Sequence, residues 1–127
     1  MPEYALIVLA HGSREGAAND AVRRLARRLG RLTGARASTA AFLQRAAPEL
    51  AQAVAGLAGR GIRRIVIVPY LMMAGVHFKR DLPRMVRELA GRHPQVRIRV
   101  AKGLEGHPGL TAILEDRVRE ALNRSRR

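Results

Sequence analysis

The chain has 127 residues, 47% of them hydrophobic, which fits one globular domain over 1–127 with its own core and excludes a disordered chain. It holds no cysteine, so disulfides and thiolate metal sites are excluded, and no apolar run reaches the roughly 18–20 residues that span a bilayer. The balance of 24 Lys and Arg against 10 Asp and Glu gives a net charge of +14, which favours anionic partners: nucleic acid, a membrane surface or a polycarboxylate.

The N-terminal MPEYALIVLA has an acidic residue and no basic segment, unlike a secretion signal, so a cytoplasmic protein is expected. YALIVLA (4–10) is continuously apolar and reads as a strand buried on both faces. A helix over 19–33 follows, ending near Gly34. It places Val22, Leu25, Leu29 and Leu32 on one stripe, and Arg23, Arg24, Arg27, Arg28 and Arg31 opposite, as a solvated face. ARASTAAFL (35–43) is a weaker strand. Pro48 opens a helix with Leu50, Val54 and Leu57 on one face, stopped near Gly59 and Gly61.

IRRIVIVPYL (62–71) is the third strand. A loop through Gly75, holding His77, leads to a helix with Phe78, Leu82, Met85, Val86 and Leu89 inward. Pro83 is expected in its first turn and Asp81 as its cap, with a start one turn earlier as the alternative. VRIRVAKGL (96–104) alternates apolar with basic residues, as an edge strand does. The last helix is expected to turn Leu110, Ile113, Leu114, Val118, Ala121 and Leu122 inward. His93 and His107 each precede a proline and fit boundary roles.

Strict alternation of strand and helix demands a parallel sheet with helices on both faces. Right-handed crossovers, with the two strongest runs central, give the strand order 2-1-3-4. Strands 1 and 3 are then neighbours whose connections leave toward opposite faces. Open α/β sheets bind ligands in the crevice beyond that switch point. ALIVLA runs directly into His11 there, and IVIVPYLMMAGVH ends on His77. The two histidines are expected to meet across it.

Imidazole binds iron, cobalt and nickel and accepts protons near neutral pH. Two protein ligands are too few for a structural zinc site and suit a metal that arrives and leaves. HGSREG, with Gly12 permitting a tight turn and Ser13 following, could also cradle an anion at a helix N-terminus. An enzyme or phosphocarrier working through a phosphohistidine at His11 therefore stays open. So does a basic nucleic-acid-binding domain, although aromatic stacking residues are scarce and no recognised nucleic-acid motif is present.

LAHGSR after strand 1, FLQRAAPEL after strand 2, VPYLMMAGVHFKRDLP after strand 3 and GHPGL after strand 4 together resemble the short sirohydrochlorin chelatases. These type II chelatases insert cobalt or iron into a tetrapyrrole for cobalamin or sirohaem. The resemblance covers nearly the whole chain. It implies a flavodoxin-like chelatase fold and a homodimer. It also implies a divalent metal as substrate, with no tightly bound cofactor; cobalt is expected ahead of Fe2+ or Ni2+ because no redox domain is fused to the sequence. Sirohydrochlorin is the implied partner, and neither membrane nor nucleic acid. The metal-binding, proton-accepting histidines fall on His11 and His77. Many members carry a glutamate after strand 2 where this chain has Gln44, a possible third site residue. Ser13, Arg14, Arg45, Lys79 and Arg80 adjoin the site loops and are candidates to hold the substrate carboxylates.

Overall fold

The computed structural model describes residues 3–72 and 75–125, with the side chains of Val76, His77 and Ser125 outside that description. Eight elements alternate: β1 (Ala5–Ala10), α1 (Gly16–Thr33), β2 (Ala37–Phe42), α2 (Leu50–Gly59), β3 (Arg64–Pro69), α3 (Val76–Arg92), β4 (Arg97–Val100) and α4 (Pro108–Ser125). The strands form one parallel sheet in the order β2-β1-β3-β4. This is the order expected from the sequence.

β1 is central and every residue in it is buried, as a continuously apolar strand requires. Its alternate side chains feed two cores. Ala5, Ile7 and Leu9 point to the side of α2 and α3, where Leu50, Val54, Leu57, Leu82 and Leu89 meet them. Leu6, Val8 and Ala10 point the other way, toward Ala26, Phe42 and the half-buried Val22, Leu25 and Leu29 of α1. Full burial of side chains such as Ile7, Leu9 and Phe42 contributes about 1.5–3 kcal/mol each.

α1 begins at Gly16, a turn earlier than expected, and closes on Gly34 in the left-handed conformation, whose N–H donates to the Gly30 carbonyl. Leu32, expected inward, is 73% exposed, because the stripe has rotated off the sheet by the last turn. α2 starts at Leu50, two residues after Pro48. Gln52 Oε1 accepts the Glu49 N–H at 2.9 Å and sets that start.

Two further expectations are corrected. α3 starts at Val76 behind Gly75, so Pro83 lies inside the helix and Asp81 is not its cap. The Phe78–Leu82 spacing of four carries the apolar face back past the proline, whose missing N–H leaves only the Lys79 carbonyl without its bond. The residues of α4 expected inward are out: Ile113, Leu114, Val118 and Leu122 are each more than half exposed. The helix stands off the sheet. His93 and His107 do hold boundaries: the His93 N–H closes α3 on the Leu89 carbonyl, and His107 Nδ1 accepts the Gly109 N–H at 2.8 Å. Among the described residues no helix is long and apolar enough to cross a membrane.

Candidate functional site

Backbone pairing continues past the ends of the central strands and gathers their loops. The Leu43 N–H donates to the Ala10 carbonyl at 2.9 Å, and the Gln44 N–H to the His11 carbonyl at 3.0 Å. On the other side of β1, the Tyr70 N–H donates to the Leu9 carbonyl at 2.7 Å. His11, Gln44 and Tyr70 thus sit together where β1, β2 and β3 end. His11 and Gln44 are exposed, and Tyr70 is 45% exposed.

Gly12 makes the first of these approaches possible. Its φ is +92°, and a Cβ there would overlap the Gln44 carbonyl oxygen. The turn is then stapled by a buried side chain that sequence reasoning did not single out. Asn19 Oδ1 accepts the Ser13 N–H at 2.9 Å, and Asn19 Nδ2 donates to the Ser13 carbonyl at 2.8 Å. The Ser13 hydroxyl accepts the Glu15 N–H at 3.1 Å. One side chain thereby bonds both backbone groups of Ser13 near the helix start.

The loop after β2 has its own anchor. Arg23 of α1 donates to the Ala47 carbonyl at 2.9 Å, pairs with Asp20 at 2.8 Å and lies 5.0 Å from the Phe42 ring centre. Arg23 is therefore a structural residue and leaves the solvated face assigned to it from periodicity. Arg45 sits in the same loop with a positive φ of 66° and is exposed.

His77 lies in the first turn of α3, not in the loop, so a helix carries its backbone beyond the end of β3. Its side chain is outside the described residues. Lys79 and Arg80 follow on the same helix. Lys79 pairs at 3.7 Å with Glu105 of the connection between β4 and α4. Arg14, Arg45 and Arg80 form no ion pair among the described residues. Beside Lys79 opens a cavity of about 460 Å³ with an apolar floor of Pro69, Leu71, Phe78, Leu82 and Leu104. That volume lies in the range of about 300–1,000 Å³ usual for small-molecule sites. Among the described residues no cluster of three or more His, Asp or Glu is placed to hold a metal ion.

The CbiX family profile matches residues 5–121. The chain belongs to the CbiX family. The sirohydrochlorin cobaltochelatase of Sulfurisphaera tokodaii is 36% identical over 86 residues, 68% of either chain. A solved CbiX protein from Marinobacter aquaeolei VT8 superposes with a TM-score of 0.83 at 30% identity, over 99% of this chain and all of that one. The cobalt complex of the sirohydrochlorin chelatase SirB from Bacillus subtilis subspecies spizizenii has the same fold, with a TM-score of 0.84 at 22% identity. This chain spans 94% of its own length in that match but only 51% of SirB.

Of the residues named from the sequence, the structure gathers His11, Ser13, Arg14, Gln44 and Arg45 around the ends of β1 and β2. Lys79 and Arg80 stand on α3. What sequence reasoning missed are Asn19, Glu105 and the apolar cavity. A polar residue early in a helix gives no sign that it is buried, and the cavity is assembled from residues far apart in the chain.

Proposed function

We propose that this chain is a sirohydrochlorin chelatase: it takes a divalent metal and sirohydrochlorin and releases metallo-sirohydrochlorin and two protons. Membership of the CbiX family over residues 5–121 carries the reading, together with the similarity of the chain to relatives named sirohydrochlorin cobaltochelatase. Cobalt is the favoured metal, in line with those names.

His11 and His77 are the residues we assign to the ion. Their backbones follow the ends of neighbouring strands β1 and β3, at the switch point. The two imidazoles would hold the incoming cation, then accept pyrrole N–H protons as it enters the ring. Gln44, whose backbone N–H is bonded to His11, is the third candidate. Its amide oxygen could touch the metal without adding charge. The apolar cavity beside Lys79 supports the reading by offering a face for the macrocycle. Arg14, Arg45, Lys79 and Arg80, with Ser13, would receive its carboxylates.

We further assign the enzyme to the cytoplasm, where a chain without cysteine is at home, and read it as a homodimer. SirB is about twice as long as this chain, and two copies would supply the same length. The test is spectroscopic. Protein, sirohydrochlorin and Co2+ are mixed and the macrocycle absorption is followed against a protein-free control. Acceleration of metal insertion is expected, and insertion at the uncatalysed rate would overturn the proposal.

A further inference from the structure

The chain meets its need for positive charge with arginine at every position but two. Both exceptions, Lys79 and Lys102, line the apolar cavity of about 460 Å³ beyond the ends of β3 and β4. They reach it from different elements. Lys79 stands near the start of α3, where its N–H donates to the Gly75 carbonyl at 3.1 Å. Lys102 lies beyond β4, directly after Ala101, whose N–H extends the ladder to the Ile67 carbonyl at 2.8 Å. Far apart in sequence, the two lysines share one cavity.

A third charged group completes the arrangement. Glu105 also lines the cavity and pairs with Lys79 at 3.7 Å, so the ion pair joins α3 to the connection between β4 and α4. That connection is a formed turn. The His107 N–H donates to the Leu104 carbonyl at 3.0 Å, and Gly106 takes a φ of +82°. Leu104 contributes to the apolar floor, and Glu105, the next residue, stands exposed at the rim. Lys102 forms no ion pair among the described residues.

An apolar floor with two ammonium groups suits a ligand whose apolar body is edged by carboxylates. The Lys79–Glu105 pair shows that a carboxylate reaches one of those ammoniums in the free chain. That pair is replaceable. Both side chains are at least half exposed, and 3.7 Å is too long for a hydrogen bond, so the contact contributes little. Lysine in place of arginine fits such an exchange. A guanidinium would hold Glu105 in a two-pronged pair, whereas an ammonium on a flexible stem turns from one carboxylate to another.

We infer that Lys79 and Lys102 form one carboxylate subsite on this cavity, and that Glu105 is its internal placeholder, holding Lys79 in the free chain and yielding it to a carboxylate of the substrate. Lys102 and Glu105 are thereby specificity-determining residues. A tetrapyrrole with carboxylates along its edge replaces the broken pair, and one without them does not. The inference rests on the chelatase reading and deepens it by naming where one edge of the macrocycle is held; His11 and His77 do not enter.

Equilibrium binding of metal-free sirohydrochlorin, followed by its fluorescence with no metal present, tests the subsite apart from turnover. Lys79, Lys102 and Glu105 are all exposed, so their replacement is expected to leave the fold intact, which circular dichroism checks. Lys102→Met is expected to raise the Kd about fivefold, and Glu105→Gln to lower it about threefold. In a Lys79→Met background, Glu105→Gln is expected to change nothing, because the competition it relieves is gone. That background separates a placeholder from net charge, since Glu105→Gln removes the same negative charge from either chain.

An unchanged Kd for Lys102→Met overturns the subsite and leaves the chelatase reading standing. So does a Kd that Glu105→Gln fails to lower, or a tightening by Glu105→Gln that persists without Lys79. No binding of sirohydrochlorin to the unaltered chain overturns both.

Discussion

Asn19 decides how well His11 is held. Its amide satisfies both the N–H and the carbonyl of Ser13 from a position only 7% exposed. Asn19→Ala leaves those groups without partners and is expected to cost about 1–3 kcal/mol of stability, measured by urea denaturation. Turnover should fall in the same variant, because the turn carrying His11 loosens; full activity at reduced stability would mean that the turn needs no staple. His11→Ala and His77→Ala are each expected to abolish most metal insertion while circular dichroism stays unchanged. Near wild-type turnover in either would end the paired-histidine reading. Gln44 gives the converse test. Gln44→Glu puts a negative charge beside His11 and should tighten Co2+ binding in calorimetric titration, since opposite charges attract strongly in a partly desolvated crevice. Unaltered affinity would mean that the loop after β2 contributes backbone only. The places of His11 and His77 beyond the ends of β1 and β3 were legible in the sequence because apolar strands run toward them, whereas Gln44 came from the family resemblance. Asn19 was not, because nothing local distinguishes a buried asparagine from a solvated one.

Elements were legible where their apolar faces pack on the sheet. β1 declared itself by six apolar residues in succession, and burial on both faces follows from them. Gly30 shows what periodicity leaves out. It faces Ser38 of β2, and a side chain there would run into the Ser38 Cβ and hydroxyl. Gly30→Val is therefore expected to push α1 from β2 and to destabilise the fold by about 2–3 kcal/mol, read as a lowered Tm. An unchanged Tm would show that α1 can shift without loss. α3 was misjudged at its start, since Pro83 and Asp81 imitate an N-terminus while the Phe78–Leu82 pair pulls the helix one turn and more upstream. That error matters for the site, because it moves His77 from a loop onto a helix. For α4 the apolar stripe was read correctly and its direction was not. Spacing shows that α4 has an apolar face; it carries no information about whether the chain's own sheet covers that face.

At the scale of the molecule, the charge of +14 calls for an anionic partner, and the fold distributes that charge unequally in meaning. Arg24, Arg27, Arg28 and Arg31 lie along the exposed flank of α1, from its third turn onward and outside the loops at the strand ends that form the switch point. Arg14 and Lys79 stand beside the loops after β1 and β3, so an octacarboxylate settling over the crevice would meet them at short range. Lys79 must first give up Glu105, an exposed partner at 3.7 Å that contributes little. Neutralising Arg14 together with Lys79 is thus expected to raise the KM for sirohydrochlorin by about tenfold and to flatten its dependence on salt, with kcat much less affected. Neutralising Arg24 together with Arg28 removes the same charge from the molecule and should leave KM almost unchanged. The comparison separates local contacts from the long-range field, since both doubles lower the net charge equally while only one touches the crevice. A larger rise in KM from the α1 pair would relocate the polyanion to the helix flank, and with it the substrate's path into the site.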